Sequence, residues 1–393
     1  MTRSLPLVGA VLLLVAAACG GTGSGQTASN SPSSSSSKPV WVLGSMRDLT
    51  GAGSNAGSSQ QAGLDFFVNQ TNKAGGVAGH NLELQTCDTQ STPTGGANCA
   101  RQLTSVDSHV VLLNGALPST NGAIPQLTTD VVGISVLPVL FPKAGTNVFQ
   151  ISPVENAVVT PMVQAAKSAH LKTIGVIYTA DASGTAQLNS VKQVGGAAGL
   201  QIVSEAMNPT ATDVTTQLLQ LKSNGADLIF TASIGTATST AVTSYHSLNL
   251  TMPLVLGAQA VTNSFLKALP FPIPDHMYGI STLAAGNKGL TPAEQTAWTS
   301  FRKDFKAFSH QPVDSNVASG YYTACVAAAA LKATNGGTGA EMTTYLAGNT
   351  VSCLGSEMRF NTPGLNVVTN QPTALVQAGS KASDGWGPVR TPL

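Results

Sequence analysis

Charge is scarce in this sequence. Lysine and arginine number 19, aspartate and glutamate 18, together 9% of 393 residues, and they leave a net charge of +1. A nucleic-acid-binding surface needs a basic stripe to neutralise phosphates, and this balance excludes one. Aromatic residues are also few, at 5%. No apolar run is long enough to cross a bilayer as a helix, which takes about 20 residues. Leu5 to Ala18 comes nearest with 14. Short chemical motifs are missing as well. There is no C-x-x-C pair, which removes zinc-ribbon and thioredoxin-type chemistry, and no G-x-S-x-G nucleophile elbow. The histidines (His80, His109, His170, His246, His276 and His310) are scattered without metal-ligand spacing.

One pattern, Gly51-Ala52-Gly53-Ser54-Asn55-Ala56, fits a dinucleotide fingerprint. That fingerprint needs an acidic residue about 20 positions on, at the end of the next strand. Asp88 lies 35 residues beyond Gly53, so a small-residue turn that admits a ligand to the backbone is the better reading. Asp48 and Asp181, near strand ends, read as loop or helix-capping groups rather than an acid–base pair. The expectation from these motifs is a chain with no catalytic residue, no metal and no cofactor.

What the chain does have is apolar residues, at 42%, and 40 glycines. Its length suggests two domains of ordinary size. Arg3 and the apolar stretch Leu5 to Ala18 read as a signal peptide over residues 1–18. The run Ala16-Ala17-Ala18-Cys19-Gly20 resembles a bacterial lipobox, which makes Cys19 the candidate lipidated residue. Plain secretion with cleavage after the alanines is the alternative. Residues 19–38, with the run Ser33 to Ser37, read as a flexible Ser/Gly-rich tether. Two acyl chains at Cys19 would hold the body at the outer face of the membrane. Removing Cys19 leaves Cys87, Cys99, Cys325 and Cys353, an even number in an oxidising compartment. Three pairings are possible, and proximity favours Cys87 with Cys99 and Cys325 with Cys353.

Short strand-like runs alternate with helix-length segments along the body, the pattern of βαβ units and a parallel sheet. Strands are expected at Val40 to Leu43, Asn81 to Cys87, His109 to Leu113 and Val131 to Val136, with a helix from about Ser58 to Asn72. A second series follows at Thr173 to Tyr178, Gln201 to Ala206, Asp227 to Thr231 and Pro253 to Leu256. Between them, Asp213 to Lys222 places Val214, Leu218 and Leu221 on one helical face.

Several landmarks carry a family resemblance over Val40 to Gly387. They are Asp48-Leu49-Thr50-Gly51-Ala52-Gly53 with Ala62-Gly63-Leu64-Asp65, then Asn72-Lys73-Ala74-Gly75-Gly76-Val77, then Cys99-Ala100-Arg101-Gln102-Leu103 beyond Asp88, and the segment Asp213 to Phe230. The chain resembles the solute-binding proteins of branched-chain amino-acid-type ABC importers, with the type I periplasmic-binding-protein fold. The resemblance implies an α/β protein of two Rossmann-like lobes with central parallel sheets, joined by a three-stranded hinge. Residues 39–152 and 283–355 would form lobe 1, and residues 153–282 and 356–393 lobe 2. It implies a small-molecule ligand held between the lobes and an ABC permease and ATPase as partners. A sensor of the same fold that signals to a membrane receptor is the second reading, and an envelope hydrolase the third.

The resemblance also implies a set of pocket positions. Ser119, with Thr120 beside it, would meet the ligand's polar group at a helix start. Leu137 would belong to an apolar wall over Ser135 to Phe141. Asn55 beside Ala56, together with Ser183 and Ile234, stands where relatives often carry aromatics, and Gln259 stands near the place of an ammonium-binding acid. Tyr321 or Tyr322 would keep an aromatic contact. A neutral amide cannot give an ammonium the charge-assisted bond it prefers, so an ordinary zwitterionic amino acid fits poorly.

Overall fold

A computed structural model describes residues 38–106, 111–115, 131–136, 140–281, 291–369, 373–379 and 385–393. The first series of elements is β1 (Val40–Arg47), α1 (Ser54–Lys73), β2 (Asn81–Asp88), α2 (Pro93–Val106), β3 (Val111–Asn114), β4 (Gly133–Ser135) and β5 (Val148–Gln150). Its five strands form one parallel sheet in the order β2-β1-β3-β4-β5. A second series follows: α3 (Glu155–Ser168), β6 (Thr173–Thr179), α4 (Ala182–Ala197), β7 (Gln201–Met207), α5 (Thr215–Ser223), β8 (Leu228–Ala232), α6 (Thr236–Ser247), β9 (Leu254–Leu256), α7 (Asn263–Ala268) and β10 (Met277–Ser281). The parallel strands of this half run β10-β9-β8-β6-β7, so the two halves repeat one topology.

Strands buried on both faces read as continuous apolar runs. Val111-Leu112-Leu113 and Leu228-Ile229-Phe230 are such runs, and all six residues are fully buried. The C-terminal part adds α8 (Pro292–Ser309), α9 (Ser315–Thr334), α10 (Gly339–Gly348), a hairpin of β11 (Val351–Cys353) with β12 (Ser356–Met358), and finally β13 (Ala374–Ala378) and β14 (Trp386–Pro388). The last two strands extend the second sheet antiparallel from β10. Helix α9 returns to the first core and lies along α1. Gly63 and Gly320 let their backbones touch, since a Cβ at Gly63 would stand 2.0 Å from the Val317 carbonyl oxygen. Phe360 and Val368 also pack in the first core, while Val376 and Trp386 pack in the second. The chain therefore passes between the two cores after β5, after β10 and after Val368.

The α/β expectation holds, with two corrections of boundary. Helix α1 starts at Ser54 rather than Ser58, because the Ser54 amide already bonds the Gly51 carbonyl and the turn runs straight into the helix. Helix α5 starts at Thr215 rather than Asp213. The Asp213 carboxylate accepts from the Thr215 amide and hydroxyl, a local turn that competes with helix. Both short-loop disulfides are present: Cys87–Cys99 ties β2 to α2, and Cys325–Cys353 ties α9 to β11. Among the described residues no helix is long and apolar enough to cross a membrane. Cys19, Ser119, Thr120 and Leu137 lie outside the described residues.

Candidate functional site

In a sheet of order 2-1-3-4-5, ligands bind beyond the strand C-termini where the strand order reverses. Both sheets have that reversal, between β1 and β3 in one and between β6 and β8 in the other. A cavity of about 100 Å³ lies where the two halves meet at such ends. One wall is the loop after β1 and the first turn of α1, from Gly51 to Ala56. The opposite wall is Ile234, Gly235 and Thr236 after β8, and Gln259, Thr262 and Phe265 after β9 close the end.

Each wall is shaped by its sequence. Gly51 has φ +79° and lies against the turn after β2, where a Cβ would come within 2.8 Å of the Gln90 carbonyl oxygen. Gly235 has φ +64° and ψ −133°, a backbone conformation suited to glycine alone. A Cβ there would sit 2.5 Å from the Ala52 carbonyl oxygen, so the two walls touch at this point. Further contacts join the halves beside the cavity. The Ser315 hydroxyl donates to the Val261 carbonyl at 3.0 Å, and the Asn316 amide donates to the Gln259 carbonyl at 3.4 Å.

The electrostatics of this cavity are unusual in that none of its lining residues is ionisable. Polarity comes from backbone and neutral side chains. Helices α1 and α6 begin in its walls with glycine at the N-cap and no side-chain cap, so two positive helix ends adjoin the cavity, the Ser54 amide of α1 being already bonded to the Gly51 carbonyl. The side-chain oxygen of Gln259 is buried and has no hydrogen-bond partner. Such an acceptor asks for a donor from outside the protein. Near the ends of β3 and β8, Asn114 and the Thr231 hydroxyl are likewise buried without side-chain partners.

The residues singled out from the sequence separate here. Asn55, Ile234 and Gln259 line the cavity together. Ser183 does not: it is buried in the first turn of α4, where its hydroxyl oxygen accepts from Gln187 at 3.4 Å. Neither tyrosine reaches the cavity. Tyr321 lies between α1 and α9, edge-on to Phe67 and Phe301, with its hydroxyl on Gln70. Tyr322 is buried in the first core beside Trp298. The close passage of α1 over α9 turns both rings into packing residues. Thr236, Thr262 and Phe265 were missed. A glycine between a buried strand and a helix start, as in Ser233-Ile234-Gly235-Thr236, was the available signal for the first of them.

Asp181 caps α4 by accepting from the Gly184 amide at 2.8 Å, the capping role expected of it. Asp48 accepts from the Thr89 hydroxyl. Beneath the first wall, Arg47 is fully buried; burial pushes its guanidinium down to about 9 against the opposing pull of Asp48 and Asp65. Among the described residues no group of three or more His, Cys, Asp or Glu is placed to hold a metal.

The sequence profile described as "Periplasmic binding protein" matches residues 41–383. No curated protein matches the chain. Among solved structures, a solute-binding protein of an ABC transporter from R. palustris in complex with benzoate is similar at 17% identity and TM-score 0.74, over 87% of this chain and 94% of that one. A periplasmic binding protein type 1 from Bordetella pertussis Tohama I is similar at 17% identity and TM-score 0.74, over 88% and 99%. The branched-chain amino acid transporter substrate-binding protein LivJ from Streptococcus pneumoniae, in complex with isoleucine, is similar at 17% identity and TM-score 0.73, over 86% and 100%. With its doubled 2-1-3-4-5 topology and a cavity where the halves meet, the chain belongs to the periplasmic binding protein family.

Proposed function

We propose that this protein is an extracytoplasmic solute-binding lipoprotein that captures a small molecule between its two lobes and delivers it to an ABC importer. The observation that carries the reading is the cavity between the halves, lined by both and shaped by strand ends and helix starts, in a chain of this family. Solved relatives bind benzoate or isoleucine in ABC transport systems, which supports the same class of work here. The protein acts by binding and release, not by turnover. Cys19 is the lipid attachment site in this reading, and residues 19–38 the tether. Ser119 and Thr120 add the polar contact from the first lobe, and Leu137 an apolar one.

Ligand chemistry follows from the lining. An ammonium would enter without a counter-charge, whereas an amide or a hydroxyl compound can donate to the Gln259 oxygen and a carboxylate can accept at a helix start. The cavity is smaller than the roughly 150 Å³ that holds a benzene molecule, so it takes one end of a ligand, not a large solute.

The test is thermal unfolding of the protein, stripped of carried-over ligand, against amino acids, amides, aromatic acids and sugars. A compound present at about 1,000 times its Kd stabilises the folded state by about 4.1 kcal/mol, a clear rise in Tm. An amide or acid hit is the expected outcome. A hit confined to zwitterionic amino acids would refute the lining argument, and no hit across the panel would count against small-molecule capture.

A further inference from the structure

The loop that forms the first wall is fastened from behind by the turn after β2. The Asp88 carboxylate accepts from the backbone amides of Leu49 at 3.0 Å, Thr50 at 3.2 Å and Gln90 at 2.9 Å, and from the Thr50 hydroxyl at 2.7 Å. Three residues on, the Ser91 hydroxyl donates to the Thr50 carbonyl at 2.6 Å and accepts from the Gly53 amide at 3.0 Å. The Thr89 amide donates to the Arg47 carbonyl at 2.9 Å. Gly51, in its left-handed conformation, is pressed onto Gln90 between these bonds. Asp88 itself does not line the cavity. Slight burial raises its carboxyl, but the bonds from Gln90, Thr50 and Leu49 prevail and hold it below the usual carboxylate range. The Cys87–Cys99 disulfide begins one residue before it and ties this turn to α2.

We infer that Asp88 is the positioning residue of the binding wall: through Leu49 and Thr50 it sets the loop Gly51–Ala56 in register with Gly235 across the cavity. This rests on the reading of that cavity as the ligand site, but its test needs no ligand. The contact between Ala52 and Gly235 is the sensor, because Gly235 belongs to the other half.

Amide spectra of the deuterated protein are compared for wild type, Asp88→Ala and Asp88→Asn. Asp227→Ala serves as control, since it removes a carboxylate that likewise accepts two backbone amides, those of Lys172 and Thr173, at the end of the second sheet opposite the cavity. In Asp88→Ala, exchange of the Leu49 and Thr50 amides is expected to speed at least tenfold. Resonances of Gly51 to Ala56 shift, and those of Gly235 and Thr236 shift with them. Asp227→Ala leaves all of these in place. Asp88→Asn, whose side-chain oxygen still accepts from the Leu49, Thr50 and Gln90 amides, is expected to leave both sets of resonances near their wild-type places. Shifts confined to residues 47–50 and 88–91, with Gly235 and Thr236 unmoved, would overturn the proposal. Should Asp88→Ala fail to fold, Asp88→Ser, which can keep the local Gln90 bond but is too short to span to Leu49 and Thr50, decides by the same criterion. A failed ligand panel with these shifts present would reject the solute-binding reading and leave the positioning role intact.

Discussion

Burial of an ionisable side chain sets the behaviour of single residues here, and Glu155 is the sharpest case. It opens α3 just after the first passage between the cores, 3% exposed, with one carboxylate oxygen unpartnered. Burial pushes its carboxyl up from 4.5 to about 7. Below pH 4.5 both folded and unfolded chains hold the proton and nothing is lost. Between 4.5 and 7 the unfolded chain releases it while the folded one does not, so stability falls as pH rises and levels off above about 7. At about 1.4 kcal/mol per pH unit the loss is roughly 3 kcal/mol. Glu155→Gln should therefore match wild type at pH 4 and exceed it by that order at pH 8, measured by urea unfolding. An advantage independent of pH would sink the account. Neither Glu155 nor Arg47 was legible in the sequence as a buried charge, because burial is decided by chain segments far away. Gln259 was reached only through the family resemblance, which set it near the place of an ammonium-binding acid; nothing in its local sequence marks it.

The element that matters most for closure is the N-terminus of α6. Gly235 meets Ala52 with no room for a methyl group and holds a φ that other residues resist. Gly235→Ala should keep the walls apart, seen as a larger radius of gyration in solution scattering and a loss of affinity for any compound the panel identifies. Gly225→Ala separates strain from obstruction: Gly225 also has positive φ, at +80°, but nothing stands within 4 Å of its Cβ position. That variant should lose stability without expanding. Equal radii for the two would show that the glycine contact does not control closure. At this scale the strands and the alternation of elements were plain from apolar runs, and the helix starts were not. Whether Asp213 begins a helix or ties a turn depends on a few tenths of a kcal/mol of competing hydrogen bonds. Tyr321 and Tyr322 looked like pocket residues because the approach of α1 to α9, made possible by Gly63 and Gly320, is a tertiary fact.

In the whole molecule, both disulfides tie elements within the first half, and a chain that returns to each core joins the halves. Cys325–Cys353 closes a loop across α9, α10 and β11, separated by 28 residues in sequence. Replacing both cysteines with serine should cost about 3 kcal/mol by the loop-entropy relation, read as a lower urea midpoint. An unchanged midpoint would mean that the packing of α9 alone holds that region. The doubled topology was legible as repeated spacing, but the path of residues 356–368 was not, since no local signal says which core Phe360 and Val368 will join. That interleaving has a consequence for biogenesis. The first core opens with Leu43 and is finished only by Val368, and the second needs Trp386. A nascent chain emerging N-terminus first can complete the first half only once Val368 is free and the second only once Trp386 is. Order of synthesis thus leaves both halves unfinished while most of their strands are already made, and removal of Trp386 would open a core whose parallel strands were made long before.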